Sequence, residues 1–389
     1  MQRLGTESAF DVLARVNRLR AEGRDIISFG IGEPDFDTPP HVCESAKQAL
    51  DAGATHYGPS AGLPELREAV AEYISATRGV HIGADWVTVS PGAKPAIYAA
   101  MRALINPGDE VIYPSPGYPI YESLADWIGA KTVPARLREE KGWRYDTEEL
   151  AALITPRTRM IVLNSPQNPT GGMLDAEDMA AIGRLAVDNN IWVLADEIYS
   201  QIVFDKPFAS IFTVPGMMER TILIDGFSKT YAMTGWRLGY SVARPDLATT
   251  LARIETNLHS CTATFSQKAA VAALKGPQDD ALAMAAAFRR RGELITRLVN
   301  DLPGVSCAQP GGAFYVFPNV TEACRLTGRK SANDLCELFL DEGVAVLPRT
   351  CFGRRLEEEE YIRLSYATSD DNIVEGLRRM KTALEKACS

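Results

Sequence analysis

The chain has 389 residues, 46% of them hydrophobic and 23% charged, which is enough to bury a sizeable core and excludes the disordered and fibrous classes. Its formal net charge of −9 argues against a nucleic acid or an anionic membrane surface as partner, because phosphate binding ordinarily leaves a basic footprint. A chain of this length is expected to form a large domain and a smaller one.

The N-terminal stretch MQRLGTESAFDVLARVNRLRAEG mixes charges with apolar residues, which predicts an amphipathic helix and not a signal-peptide core. Six short runs then read as strands: WVTVS (86–90), DEVIYPS (109–115), RMIVLNS (159–165), IWVLADE (191–197), TILIDGF (221–227) and GYSVA (239–243). Most are separated by helix-length segments, so a largely parallel sheet covered on both faces is expected. GYSVA follows too soon for a crossover helix and is expected to run antiparallel. From about residue 245 helical patterns dominate, until Gly304, Pro310, Gly311 and Gly312 mark a change to mixed strands and helices, read as the second domain. Near its end YIRLSYA (361–367) reads as a strand and Thr368 or Ser369 as a helix cap. Ile373, Val374, Leu377, Met380 and Leu384 follow as one apolar helix face. The triplet RRR (289–291) and the run LEEEE (356–360) read as solvated surface.

The most continuous apolar stretch, ALAMAAAF (281–288), is too short to span a bilayer. Seven cysteines (Cys43, Cys261, Cys307, Cys324, Cys336, Cys351, Cys388) are odd in number and never spaced Cys-x-x-Cys, which predicts free thiols in a reducing cytoplasm. His41, His56, His81 and His259 form no local metal motif, and no metal is expected.

Open α/β sheets bind ligands beyond the carboxyl ends of their strands. PGAK (91–94), PGY (116–118), NPTGG (168–172), DEIY (196–199) and the pair Ser228–Lys229 all fall at such ends, so five strand ends can feed one crevice. Singly, each reads as a turn, a cap or a helix entry. Together they set a lysine, a carboxylate, aromatics, an amide and an arginine in order along one sheet.

That combination resembles the aspartate aminotransferase family, fold type I of the enzymes that use pyridoxal 5'-phosphate, and especially its bacterial class I branch. The resemblance covers nearly the whole chain. Its carriers are GEPDFDTP (32–39), HYGPSAGLPELREAV (56–70), PGAK, DEVIYPSPGYPIY (109–121), NSPQNPTGG (164–172), DEIYS (196–200), SKTYAMTGWRLGY (228–240), GGAFYVFP (311–318) and YIRLSYATS (361–369). It implies an α/β fold whose large domain has a mostly parallel seven-stranded sheet covered by helices, beside a smaller α/β domain. The implied division is residues 1–40 as N-terminal arm and part of the small domain, 41–284 as the large cofactor-binding domain, and 285–389 as the C-terminal small domain.

The resemblance also assigns roles. Lys229 would form a Schiff base with the aldehyde of pyridoxal phosphate and, once freed, act as a base. Asp196 would keep the ring nitrogen protonated so that the ring accepts electrons. Glu197, the next residue of the strand, is expected to point to the other face. Tyr118 matches the aromatic stacked on the ring, and Asn168 and Tyr199 match the groups bonded to its phenolic oxygen. The phosphate falls to the backbone around Gly92, Ala93 and Lys94 at a helix N-terminus, and to Ser228 and Arg237. Where many relatives carry a serine three residues before the lysine, this chain has Gly226, which makes Arg237 the firmer of those two assignments. Arg363 matches the fork for the substrate α-carboxylate, with Gly32 and Asn168 beside it. Tyr57 matches a tyrosine that reaches the phosphate of the neighbouring subunit, implying a homodimer with shared active sites. The implied activity is ping-pong transfer of an amino group between an amino acid and a 2-oxo acid, of aspartate or aromatic type. A β-eliminating lyase on the same scaffold is the alternative. Phe10 suggests an apolar wall for the substrate side chain, and Lys94 or Arg102 a holder for a second carboxylate.

Overall fold

A computed structural model describes residues 8–388, so residues 1–7 of the expected N-terminal helix lie outside the described part, and the helix itself runs Ser8–Ala21. Thirteen strands follow in the described chain: β1 (Ile27–Ser28), β2 (Val87–Ser90), β3 (Glu110–Ser115), β4 (Lys131–Arg138), β5 (Arg144–Tyr145), β6 (Thr158–Asn164), β7 (Trp192–Asp196), β8 (Thr221–Gly226), β9 (Gly239–Val242), β10 (Tyr315–Val316), β11 (Val344–Ala345), β12 (Leu347–Pro348) and β13 (Ile362–Ser365).

Strands β2 to β9 form one sheet in the order β2-β9-β8-β7-β6-β3-β4-β5. All six runs read as strands in the sequence are in it, and β9 is antiparallel to both of its neighbours. The sheet has eight strands and not the seven expected. β4 runs on past the end of β3, a turn at Gly142 reverses the chain, and the two-residue β5 pairs back antiparallel on Leu137 and Arg138. Side chains alternate across the sheet: Val162 and Leu194 pack under the helices Ala93–Leu104 and Ile120–Ile128, while Ile161 and Val193 pack against the helix Ala176–Asp188. The alternation fixes which face each strand-end residue serves.

A second apolar cluster joins the helix Asp279–Asn300, the sheet β10-β13-β12 and the helix Asp370–Cys388, through Phe288, Ile295, Phe314, Leu364 and Leu377. Ser369 caps the last helix, its Oγ accepting from the N–H of Asn372 (3.2 Å). Three surface or core expectations need correcting here. Val374 is 49% exposed, because it sits a full 100° step from Ile373, and Gly376 and Ala383 complete the buried face. Arg291 is buried and donates to Asp35 (2.7 Å) and Asp370 (3.1 Å), and Glu357 is buried against Arg349. A run of like charges shows nothing of which member meets a partner inside the fold.

Glu110 opens β3 with no exposed surface and accepts from Thr155 Oγ1 (2.6 Å), Lys131 Nζ (3.0 Å) and Arg157 Nη2 (2.9 Å). The Thr155 hydrogen bond, with those from the two cations, overcomes desolvation and holds its carboxyl at about 2. A carboxyl held below its unfolded value adds stability above that value and loses it as pH falls towards the folded one. Glu110→Gln is expected to cost about 1–2 kcal/mol at pH 7, reduced because the partner cations are exposed. In urea titrations the difference from wild type should close between about pH 4.5 and 2; a gap independent of pH would reject the assignment.

Candidate active site

At the carboxyl ends of β6, β7 and β8 lies a cavity of about 470 Å³. It brings together Gly32, Ala93, Lys94, Tyr118, Asn168, Asp196, Tyr199, Ser228, Lys229, Arg237 and Arg363, which are more than 300 residues apart at the extremes of the chain. Gly92 abuts it as the N-cap of the helix Ala93–Leu104. Of the residues expected at the site, Tyr57 is not in the wall: it is 88% exposed on this chain. Arg102 is exposed and also outside the wall, whereas Phe10 lines it.

Asp196 is the last residue of β7 and shares the face of Leu194. Tyr121 Oη donates to its Oδ2 (2.7 Å) and the N–H of Ile198 to its Oδ1 (3.3 Å). Burial pushes this carboxyl up to about 6, against the opposing pull of Tyr121, the Ile198 N–H and Lys229. Glu197 does point to the opposite face, where it pairs with Arg78.

Asn164 ends β6 directly opposite Asp196. Its amide donates to the Asp196 carbonyl (3.1 Å) and its Oδ1 accepts from the N–H of Asn168 (2.9 Å), which fixes the turn carrying Asn168. Asn168 Oδ1 in turn accepts from Arg363 Nη1 (3.1 Å). Arg363 lies on β13, buried, with Nη2 donating to the Gly30 carbonyl and the guanidinium 4.7 Å from the Tyr315 ring and 5.0 Å from the Phe352 ring. The Tyr199 and Tyr315 hydroxyls are 2.7 Å apart. Lys229, in the turn after β8, donates from Nζ to the Gly32 carbonyl (2.7 Å).

The opposite end of the cavity is a cup edged by a guanidinium and a helix start. Gly92 has φ +106°, and a β-carbon there would fall 2.3 Å from Arg237 Nη2, so glycine lets the guanidinium lie against the helix start. Arg237, itself at φ +53°, is anchored by donation to the carbonyls of Thr234 (2.9 Å) and Pro91 (3.3 Å). The N-terminal turn of a helix, a guanidinium and the Ser228 hydroxyl thus border one space. Gly226 has a steric reason as well: a β-carbon would come 2.9 Å from Gly239 Cα on β9. Lys94 Nζ is 5.4 Å from the Phe10 ring and 5.6 Å from the Tyr118 ring.

Among the wall residues that escaped the sequence reading are Tyr121, Asn164 and Tyr315. Tyr121 had a signal, since it stands three residues after Tyr118 at a helix start and so shares its side. Asn164 had the weaker one of ending a strand, and Tyr315 had none among the aromatics of GGAFYVFP. Among the described residues no cluster of three metal-ligating side chains occurs, and no helix is long and apolar enough to cross a membrane.

Residues 24–380 match the family described as aminotransferase class I and II. The chain is 41% identical over 366 residues to the aspartate aminotransferase of Pyrococcus horikoshii, covering 93% of this chain and 91% of that one. The structure of the aspartate aminotransferase from Rhizobium meliloti superposes with a TM-score of 0.92 at 36% identity, covering 99% and 98% of the two chains. The aromatic aminotransferase from Pyrococcus horikoshii gives 0.89 at 38% identity, covering 95% and 99%. The chain belongs to the class I and II aminotransferases, fold type I. It is an enzyme that moves an amino group between an amino acid and a 2-oxo acid, and each of these relatives is named an aminotransferase and not a lyase.

A carboxyl raised above its unfolded value costs stability once pH exceeds that value. Asp196→Asn should therefore make the cofactor-free protein more stable at pH 8, on the order of 1–3 kcal/mol, and leave it no more stable at pH 3.5. Equal urea midpoints for the two proteins at pH 8 would show that Asp196 carries no desolvation cost.

Proposed function

We propose that the cavity holds pyridoxal 5'-phosphate joined to Lys229, and that the enzyme transaminates aspartate or an aromatic amino acid. The observation that supports this reading is the convergence of an amine, a buried carboxylate, and a guanidinium beside a helix N-terminus within one cavity. A phosphorylated pyridine aldehyde has a matching group for each, and the Arg237 guanidinium held against the helix start at Gly92 suits its phosphate.

When bound, the cofactor supplies an electron sink for the pair left by the substrate's Cα–H bond. Asp196, ionised at neutral pH and held by Tyr121 and the Ile198 N–H, keeps a proton on the ring nitrogen. Lys229 Nζ would anchor the cofactor and, when free, would take the Cα proton and hold it for return. Tyr199 and the Asn168 amide serve the phenolic oxygen, and the Tyr118 ring covers the pyridine. Ser228, Arg237 and the N–H groups of Ala93 and Lys94 grip the phosphate. The Arg363 fork takes the α-carboxylate, with Asn168 and the backbone of Gly32 beside it.

For the substrate side chain, the Lys94 ammonium with the rings of Phe10 and Tyr118 offers both a cation for a second carboxylate and an apolar wall for a ring. The aspartate and aromatic enzymes among the relatives support that pairing. The 88% exposure of Tyr57 supports a homodimer in which this ring completes the neighbouring site. The apolar cluster beneath the helices Ala93–Leu104 and Ile120–Ile128, whose buried members all fall between Ala96 and Leu251, supports a large cofactor-binding part at 41–284 between 1–40 and 285–389.

Lys229→Ala is expected to lose the visible band that pyridoxal phosphate acquires on joining an amine, and to lose turnover by at least about 10³-fold. Wild-type transamination by that variant would exclude Lys229 as the anchor. With the wild-type holoenzyme, aspartate and phenylalanine should each bleach the band, and oxaloacetate or phenylpyruvate should restore it. Release of ammonia from one substrate without any 2-oxo acid acceptor would contradict transamination. Arg363→Lys should raise KM about 10- to 100-fold with cofactor affinity unchanged, since an ammonium cannot reproduce the bidentate fork. A defect confined to cofactor affinity would move the α-carboxylate elsewhere.

A further inference from the structure

On the face of the sheet away from the cavity, Arg78 ends the helix Pro64–Arg78 and is buried between two strand ends. Its Nε donates to Glu197 Oε2 (3.0 Å) and its Nη2 to Asp225 Oδ2 (3.1 Å). The side chains of all three are at most 4% exposed. The guanidinium is fixed further by Thr77 Oγ1 (2.8 Å) and lies 4.9 Å from the Phe208 ring. Its two partners are tied down as well: Ser210 Oγ donates to Glu197, while Ser200 Oγ (3.4 Å) and the Gly226 N–H (2.7 Å) donate to Asp225. Tyr73 and Tyr240 complete the surroundings of the guanidinium.

The location of the two carboxylates gives this cluster its interest. Glu197 follows Asp196 directly, and Asp225 stands four residues before Lys229. The backbone ladder between β7 and β8 pairs Asp196 with Ile224, and the Glu197 N–H donates to the Ile224 carbonyl (2.8 Å), after which β7 ends and β8 runs on to Gly226 paired with β9 alone. Beyond that point the chains diverge into the turns that present Ile198, Tyr199, Ser228 and Lys229. A planar guanidinium that reaches one carboxylate from Nε and the other from Nη2 sets the separation of the two strand ends, which a single ammonium cannot do at both contacts.

We propose that Arg78 is a positioning residue for transamination: by bridging Glu197 and Asp225 behind the sheet, it holds the end of β7 that carries Asp196 in register with the turn that carries Lys229. The proposal rests on the assignment of Asp196 and Lys229 to the cofactor. It requires the two groups to lie a fixed distance apart, because both act on one rigid ring, and small misplacements of catalytic groups are costly.

The test uses the purified holoenzyme, with pyridoxal phosphate affinity measured by absorbance titration and with kcat and KM measured separately. Arg78→Met is expected to weaken cofactor binding and lower kcat by about 10-fold or more each, with KM within about 2-fold of wild type. Arg78→Lys, which keeps the charge without the fork, should recover less than half of that loss on a logarithmic scale. A folded Arg78→Met protein with wild-type affinity and kcat, or full recovery by lysine, overturns the proposal. Where Arg78→Met does not fold, Glu197→Gln breaks one arm of the bridge and leaves Arg78 paired with Asp225. It should weaken cofactor binding about 3-fold or more, and unchanged affinity overturns the proposal equally. If the wild-type protein itself binds no pyridoxal phosphate, the reading of the cavity fails and not the bridge alone.

Discussion

Burying a carboxylate away from water is far more costly than burying an apolar side chain, and Asp196 is buried at the end of a central strand. Two hydrogen bonds and the nearby Lys229 offset part of that cost, yet the carboxyl is still pushed to about 6. Left in an apolar pocket with nothing to accept from, it would take a proton and cease to be an anion at neutral pH. Tyr121 is thus as necessary to the proposed chemistry as Asp196. It reaches the carboxylate because the turn after β3 starts a helix whose first residues lie over the end of β7.

The sheet supplies the rest by its periodicity. A strand that ends in Asp196 and continues with Glu197 must send one acid to each face. On one face the acid meets a tyrosine and a lysine; on the other it meets Arg78. Asp225 belongs to the second group and is pushed up to about 7 by burial, with Arg78 pulling the other way. Three carboxylates therefore crowd the ends of two adjacent strands, and a guanidinium placed between two of them keeps that crowding compatible with folding. A buried arrangement of this kind contributes little net stability; its effect is on geometry.

Most of this was legible in the sequence where the requirement is local. Continuous β-branched runs marked the central strands because both faces of each are buried, and glycines marked the cup because no side chain fits between Arg237 and the helix start. β4 was not read, since Pro134 and the arginines of KTVPARLR disguise a strand that lies near the sheet edge and is only half buried. Tyr315 and the Arg78 bridge were illegible for a different reason. Each depends on segments more than 100 residues apart meeting in the fold, and neither an isolated tyrosine nor the last arginine of a helix announces a partner at that distance. The same holds for Arg291, which meets Asp35 across the fold, whereas Glu357 is buried by Arg349 only eight residues before it, and the run of acids around it hid that pairing.

The separation of the sheets explains why the cofactor groups were easier to read than the substrate pocket. Asp196, Lys229, Lys94 and Arg237 hang from the ends of one sheet or the turns that leave it, so their spacing is set within a single framework and leaves compact motifs. Arg363, Tyr315 and the segment through Gly32 come from outside that sheet and meet its residues at contacts that include Arg363 with Asn168, Tyr315 with Tyr199, and Lys229 with the Gly32 carbonyl. Phe10 comes from a third element, the first helix. On the proposed reading, discrimination between a dicarboxylic and an aromatic substrate would rest on how Phe10 and Lys94 share the space beside Tyr118, a balance of desolvation against charge that no single motif encodes.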